Sequence, residues 1–194
     1  SYTDTWSGKT ISYKDYTEDS GVVKDTISGF DRFGVYNYNA SVTTKIYGIV
    51  NFKPKNKVQS IRHTITPSIS YSNTPSFEEY YDTYIIDADG NTAEYTRFQG
   101  GLFGIPGKNY SSSIGINIQN TLEAKIKPKD STQTELKKIN IFKNLNISTS
   151  YNLAAEEFKW SPLRITGSID LADGLSLNTG ATFDPYALDE NNRR

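Results

Sequence analysis

Apolar and polar residues alternate along much of this chain, and the alternation is clearest between residues 113 and 127. In that segment most even-numbered positions carry isoleucine, leucine or alanine, whereas most odd-numbered positions carry hydroxyl, amide or charged side chains. Only Asn120 interrupts the apolar row. Because successive side chains of a strand point to opposite faces, this pattern predicts a β-strand with one apolar face and one polar face.

The same period-two pattern predicts strands in most of the remaining chain. We expect seven in all, at residues 2–13, 35–52, 61–71, 113–127, 139–151, 163–171 and 175–183. The first has a poor phase, and Tyr47 and Ile49 are apolar residues on the otherwise polar face of the second. In the strand at 139–151 the predicted apolar row consists of Ile139, Ile141, Leu145, Ile147 and Tyr151. The pattern therefore predicts an all-β antiparallel meander of about seven long strands.

The length of these strands favours a membrane wall over a soluble sheet. Strands of soluble proteins average about 5–6 residues. The run from Ile114 to Ile126 would extend about 40 Å and, tilted by about 45°, would rise about 28 Å. That rise is close to the apolar band of roughly 25 Å on outer-membrane β-barrels.

The predicted connections alternate between two kinds. Short turns are expected at 53–57, 128–137 and 173–174, and longer segments at 16–33, 73–110 and 153–160. Asp173-Gly174 is typical of a tight hairpin turn. Outer-membrane barrels have short periplasmic turns and longer external loops, so residues 73–110 are predicted to lie outside the cell.

These observations together predict that residues 1–194 form part of a transmembrane outer-membrane β-barrel, with no second domain. The chain starts at Ser1 and contains no Met, which we interpret as a fragment of a longer chain. An odd number of strands agrees with this interpretation, because bacterial single-chain barrels normally have an even number. A partial barrel exposes two unpaired edges, so this chain is not expected to fold alone.

Composition removes several other classes of protein. The net charge is −1 and the basic residues do not gather on one predicted face, so nucleic acid is not an expected partner. The chain has no Cys, which excludes disulfides and thiolate metal sites. No apolar run approaches the roughly 20 residues of a membrane helix, so contact with a membrane would have to be made by strands.

Candidate catalytic and metal-binding residues are few. The single His, His63, lacks the neighbouring ligands or bases that a zinc site or a proton-transfer site needs, and a structural role is expected. In the acidic segment 73–110, the run 87–91 has some features of a calcium loop but lacks the other ligands, which favours a solvated turn over cation bridging to lipid phosphates. The glycine-rich segment 100–109 does not have the spacing of a phosphate loop. We therefore predict no enzymatic activity, no catalytic residues, no metal and no cofactor.

Several short segments resemble a known membrane-protein family. The clearest are Ile61–Ser72 and Thr74–Phe77, together with Phe183–Asn191 and the following Arg193-Arg194. Tyr47-Gly48, Ser150–Ala155 and Trp160–Pro162 also fit in order and spacing. Across residues 30–194 the sequence is similar to the LptD-like lipopolysaccharide-assembly outer-membrane proteins, which carry a large carboxy-terminal β-barrel.

The resemblance implies a function that the strand pattern alone does not give. It implies a part of a translocon that inserts lipopolysaccharide into the outer leaflet of the outer membrane of a Gram-negative cell. The implied partners are lipopolysaccharide, outer-membrane lipids, a plug lipoprotein and the periplasmic bridge proteins of the assembly pathway. No bond is made or broken in this function, which agrees with the absence of a catalytic constellation.

The polar faces of the strands carry small and mostly uncharged side chains, which suit a hydrated lumen that passes a sugar chain. The residues predicted to line this lumen are Asn117, Gln119, Thr121, Asn144, Asn146, Ser148, Thr166 and Ser168. The opposite faces, which include Ile116 and Ile147, are predicted to contact lipid.

Two alternatives have different physical consequences. A general outer-membrane porin or transporter would share the strand pattern but have no role in lipopolysaccharide assembly. A secreted β-sandwich adhesin or glycan-binding module would be a soluble monomer, and its apolar rows would be buried against a second sheet.

Overall fold

The computed structural model describes residues 1–128, 135–172 and 175–186. Within them the regular structure consists of strands and one 3₁₀ turn at Glu78–Tyr80, so the predicted all-β class is confirmed. No helix in these residues has the length and apolar character needed to cross a membrane. The strands are β1 (Tyr2–Thr17), β2 (Gly21–Tyr36), β3 (Tyr38–Thr43), β4 (Ile46–Asn51), β5 (Val58–Thr74), β6 (Tyr81–Ile85), β7 (Thr92–Thr96), β8 (Ser111–Ile126), β9 (Lys137–Asn152), β10 (Leu163–Ala172) and β11 (Leu175–Phe183).

The chain forms two compact units. The first unit contains Ser1–Asn39 and Ser72–Ser112, and the second unit contains Ala40–Tyr71 and Ser113–Arg194. In the first unit β1 pairs with β2, and β6 pairs with β7, as two separate antiparallel hairpins. The second unit is built on a larger sheet with the strand order β11-β10-β9-β8-β5-β3, in which β4 also pairs with β5.

Strand β2 was not expected from the sequence, which predicted a long connection at residues 16–33. The structure has only a short turn before Gly21, and the rest of the segment pairs with β1 along most of its length. Glycines at positions 21 and 29, both with positive φ, and a register shift between Ser7 and Lys9 hide the alternation that would have predicted this strand. Pairing with β1 supplies the backbone hydrogen bonds that stabilise it.

Aromatic side chains form the core of the first unit. Phe33, Phe77 and Phe98 are buried, and the ring centroids of Phe33 and Phe98 lie 4.7 Å apart. Tyr80 packs edge-on against both of these rings. Aromatic pairs at such separations are stabilising beyond the area that they bury. The first unit therefore has a small but continuous aromatic core.

An ion pair borders this aromatic core. Arg97 Nε donates a hydrogen bond of 2.6 Å to Asp31 Oδ2, and this bond lowers the pKa of the Asp31 carboxyl from its ordinary value. The same guanidinium lies 4.7 Å from the centroid of the Phe98 ring. Because Arg97 meets both an anion and an aromatic face, it fixes the segment that follows β7 against β2.

The larger sheet corrects two expectations about strand membership. The predicted strand at 2–13 exists as part of β1, but it pairs with β2 and does not belong to the seven-stranded sheet. The predicted strand at 35–52 is divided into β3 and β4, both of which pair with β5. The division lies where Thr44 N donates to Pro67 O, and Pro67 has no N–H to return a bond, so the ladder is interrupted there.

The pairing of β8 with β9 contains two register shifts, one on each side of Leu122. As a result Phe142 lies opposite Leu122, and Ile139 lies opposite Ala124. Strict alternation does not anticipate the bulges that rephase β9, and Phe142, which was not part of the predicted apolar row, lies opposite an apolar residue. Around the shifts, Leu122 and Ala124 of β8 therefore lie opposite apolar residues of β9.

The connections of the second unit follow the predicted division into short and long segments. A short turn at 52–57 joins β4 to β5, whereas 75–110 and 153–162 join β5 to β8 and β9 to β10. The predicted 73–110 connection contains the β6–β7 hairpin. Asp173-Gly174, most of the short connection predicted at 128–137 and the motif residues 187–194 lie outside the described residues. Within the described residues β11 and β3 are the two ends of the strand order, so this sheet is open.

Candidate functional site on the seven-stranded sheet

The polar face of the sheet brings the predicted lumen residues together. Antiparallel pairing sets Asn117 opposite Ser148, Gln119 opposite Asn146, Thr166 opposite Asn146, and Ser168 opposite Asn144. Thr121 continues the same row of β8 and borders a cleft with Arg62 and Glu123. Rows of amide and hydroxyl groups therefore cross from β8 to β10 on one face.

The opposite face carries an apolar row that crosses four strands. Ile118 lies opposite Ile147, Ile147 opposite Ile165, and Ile165 opposite Ala181. Other apolar side chains of the second unit are also uncovered, for example Val50 with 58% and Ile69 with 57% of its surface exposed. An exposed apolar surface of this extent indicates contact with another phase or partner.

No second layer covers this face in the described residues. Ala124 is the only buried hydrophobic residue that they contribute to the second unit. A β-sandwich buries the inward row of each sheet against the other sheet. A soluble sandwich predicts that these rows are buried, whereas Ile118, Ile147 and Ile165 are only half-buried and Ala181 is exposed.

Two polar residues on the apolar face, one on β5 and one on β8, are hydrogen-bonded to each other. His63 lies opposite Gly48 on β5, and its Nε2 is 3.1 Å from Asn120 Oδ1 on β8. Because an amide oxygen only accepts, the imidazole Nε2–H is the donor. This contact with an amide side chain supports the predicted structural role of His63.

Replacing one partner of this pair should lower the free energy of unfolding by more than replacing both partners does, because a single replacement leaves a polar group unpaired. We expect His63→Leu to destabilise the protein by about 1–3 kcal/mol, because Asn120 loses its partner on an apolar face. The double variant His63→Leu/Asn120→Leu should recover at least about 1 kcal/mol relative to the sum of the single variants. Denaturant unfolding of all four proteins in a double-mutant cycle measures this coupling. Additive effects would show that the hydrogen bond does not form.

Charged residues cluster on the polar face around Glu123. Arg62 Nε donates to Glu123 Oε2 at 2.7 Å, and Lys138 forms an ion pair with the other carboxylate oxygen, Oε1. The Glu123 side chain is only 13% exposed, whereas Arg62 is 50% and Lys138 is 55% exposed. The carboxylate is thus nearly enclosed by two cations that remain accessible to solvent.

Two clefts flank this ion-pair cluster. One, of about 420 Å³, is lined by Arg62, Glu123, Lys125 and Lys138 together with Ile49 and polar neighbours. The second, of about 360 Å³, adds Lys45 and Tyr47. Alternation had placed Arg62 and Glu123 on the polar face, but only the register of β5, β8 and β9 shows that they meet Lys138. The sequence alone does not predict this contact with Lys138.

The acidic segment 73–110 contains a turn held by its own side chains. Asp87 Oδ1 accepts from the backbone N–H groups of Asp89 and Asn91, and Oδ2 accepts from Asn91 Nδ2 at 2.7 Å. These bonds, first of all the one from the Asn91 side chain, lower the pKa of Asp87. Gly90 has φ +79°, as a turn of this kind needs. In the described residues no group of three or more His, Asp or Glu could hold a metal.

The glycine-rich segment at 100–109 leads into a strand. Phosphate loops present their backbone N–H groups at the start of a helix. Here Ser111 begins β8, so the segment lacks the context of a phosphate loop. This agrees with the mismatch in its spacing.

Comparison with known proteins gives one match. The sequence model of a family described as LptD protein matches residues 1–186. No curated protein and no solved structure matches the chain. The matched region includes residues 1–29, which contributed little to the resemblance noted in the sequence.

Proposed function

Because this chain belongs to the LptD protein family, we propose that it forms part of the wall of an outer-membrane β-barrel that inserts lipopolysaccharide into the outer leaflet. The family consists of outer-membrane proteins of lipopolysaccharide transport and assembly, and it is not a family of enzymes. Family membership alone does not give the integral barrel, the direction of insertion or the role of individual residues, and these are what we propose.

The observation that supports the barrel most directly is the exposure of both faces of one sheet. A single layer that is apolar on one face and hydrophilic on the other is stable when lipid covers the first face and water the second. Strands β8 and β9 each have 16 residues. At about 3.3 Å per residue and a tilt of about 45°, each rises roughly 35 Å, enough to cross the apolar band.

In this proposal the polar face lines a hydrated lumen. The lining residues are the eight predicted from the sequence, namely Asn117, Gln119, Thr121, Asn144, Asn146, Ser148, Thr166 and Ser168. Amide and hydroxyl groups exchange hydrogen bonds with water and sugar hydroxyls at little net cost, so a saccharide can move past them. Strands outside this chain would pair with β3 and β11 to close the barrel.

The same proposal assigns the partners. Lipopolysaccharide would arrive from periplasmic bridge proteins, a plug lipoprotein would occupy the lumen, and outer-membrane lipids would cover the isoleucine rows. The short turn at 52–57 would lie in the periplasm, and segment 73–110 would lie outside the cell, as the usual asymmetry of such barrels requires.

Depletion of the protein from its own cells tests the proposed function. We expect newly made lipopolysaccharide to stop reaching the cell surface while it continues to accumulate inside, as measured by pulse labelling and surface capture. Re-expression of the unaltered protein should restore surface delivery. If delivery continues and only the uptake of small solutes falls, the protein is a porin or transporter and the proposal is wrong.

A further inference from the structure

We propose that the polar face of the second unit carries a binding site for a phosphorylated saccharide, formed around Arg62, Lys138 and Glu123. This inference deepens the proposed function and rests on it, since it requires that the polar face be open to the transported molecule. It assigns to one end of that face a recognition role that the amide and hydroxyl rows do not have.

The first argument is the excess of positive charge. The two clefts are lined by four cations, Lys45, Arg62, Lys125 and Lys138, and among the described residues that line them Glu123 is the only acid. Both carboxylate oxygens of Glu123 already carry a cation. The remaining positive charge has no acidic partner among the lining residues, so an anion placed in the clefts would be attracted.

The second argument is the register of two lysines. Lys125 on β8 lies directly opposite Lys138 on β9. Like charges at directly opposed positions destabilise a sheet, and Glu123 offsets only part of this repulsion. A multiply charged anion that binds between the two ammonium groups would remove the repulsion.

Phosphate fits the donors that remain. Arg62 directs Nε and Nη2 to Glu123, which fixes the plane of the guanidinium and leaves its Nη1 side available. Guanidinium and ammonium groups donate several hydrogen bonds each, and phosphate accepts several at once. Glu123 therefore acts as a positioning residue that orients two cations for a common anion.

The apolar exceptions of the polar face indicate what is attached to the phosphate. Tyr47 lies opposite Thr64, and Ile49 lies opposite Arg62, on a face that is otherwise hydrophilic. Their side chains are 68% and 55% exposed, so they are not used for packing within the sheet. An aromatic ring and an aliphatic side chain beside cations and hydroxyl groups suit the C–H face of a sugar ring better than a free inorganic ion.

Calorimetric titration of the purified protein in detergent tests the site. The probes are a phosphorylated core oligosaccharide from lipopolysaccharide, the same oligosaccharide after phosphatase treatment, and inorganic phosphate. We expect the phosphorylated oligosaccharide to bind at least about tenfold more tightly than either other probe, because only it combines charge-assisted hydrogen bonds from phosphate with contacts to a sugar ring. Equal binding of inorganic phosphate would overturn the saccharide part, and equal binding of the dephosphorylated oligosaccharide would overturn the phosphate part.

Arg62→Gln is the decisive variant, because Lys138 still neutralises Glu123 and the carboxylate is not left unpaired. We expect it to weaken binding of the phosphorylated oligosaccharide at least about tenfold. The matched control is Arg164→Gln, the same change on the same face, opposite Ser148 and outside both clefts. Arg62→Lys should retain part of the affinity. An equal loss in the control would show that only general surface charge matters, and the site would be wrong.

Failure of this inference is distinguishable from failure of the proposed function. Binding is measured on the purified protein, and the heat-modifiable band shift on gels verifies that each variant is folded. If depletion abolishes surface delivery but Arg62→Gln binds normally, the translocon role stands and the site does not. If binding behaves as expected but depletion leaves surface delivery intact, the site serves another phosphorylated saccharide.

Discussion

Under the proposed barrel, in which the apolar row contacts lipid, replacing Ile118 by arginine is expected to destabilise the protein by about 2–4 kcal/mol, the cost of a cation on a lipid face near the bilayer midplane. Ile118 lies near the middle of β8 and opposite Ile147, in the apolar row that no second layer formed by the described residues covers. The free energy of unfolding, measured by denaturant titration of the protein folded into lipid bilayers, gives the effect directly.

Two further arginine variants make this measurement specific. Gln119→Arg changes the neighbouring residue, which lies on the opposite face, where water would solvate the charge. The loss in free energy of unfolding should stay below about 0.5 kcal/mol, as for ordinary exposed substitutions. Ile126→Arg keeps the apolar face but lies at the end of β8, so its cost should fall to about 0–1 kcal/mol near the interface. If Gln119→Arg proves more costly than Ile118→Arg, the assignment of lipid and lumen faces is reversed.

The sequence predicted the faces of the second unit well because each of these strands keeps a simple period. In β8 the register with β9 continues without a shift from Ser113 to Asn120, and the cross-strand neighbours on β9 have the same polarity at most positions. Period-two patterning states which side chains share a face of a strand, and it needs no knowledge of the partner strand.

The failures have physical causes that alternation does not contain. Pro67 on β5 has no backbone N–H to pair with the strand predicted at 35–52, and that strand is divided there. The residues of 35–52 alone therefore do not predict the break. The bulges that place Phe142 in the apolar row of β9 depend on pairing with β8. The cluster of Arg62, Glu123 and Lys138 depends on the register of three strands, which a single sequence does not fix.

The first unit was the least predictable part because its stability comes from rings that are distant in sequence. Phe33 lies in β2, Phe77 precedes the 3₁₀ turn, and Phe98 follows β7. Their segments contain glycine, proline and acidic residues, which are typical of connections between strands. Burial of a few large aromatic side chains can stabilise two hairpins that strand propensity alone would leave marginal.

Phe98→Ala should therefore produce the largest loss of stability in the first unit, about 3–5 kcal/mol, as for other large aromatic side chains that are removed from a core. Phe98 is 2% exposed and contacts Phe33, Tyr80 and the guanidinium of Arg97. Its removal leaves a cavity among these groups. Native-state hydrogen exchange of the amides in β1, β2, β6 and β7 measures the free energy of local opening.

Phe30→Ala is the matched control, because Phe30 lies in the same unit with 90% of its surface exposed and should contribute less than about 0.5 kcal/mol. Since both variants remove the same phenyl ring, any difference between them reports burial and not the chemistry of phenylalanine. Faster exchange in Phe98→Ala, with unchanged exchange in Phe30→Ala, would establish that the ring cluster holds the two hairpins together. Equal and small effects would show that backbone pairing within each hairpin is sufficient, and the aromatic core would lose its assigned role.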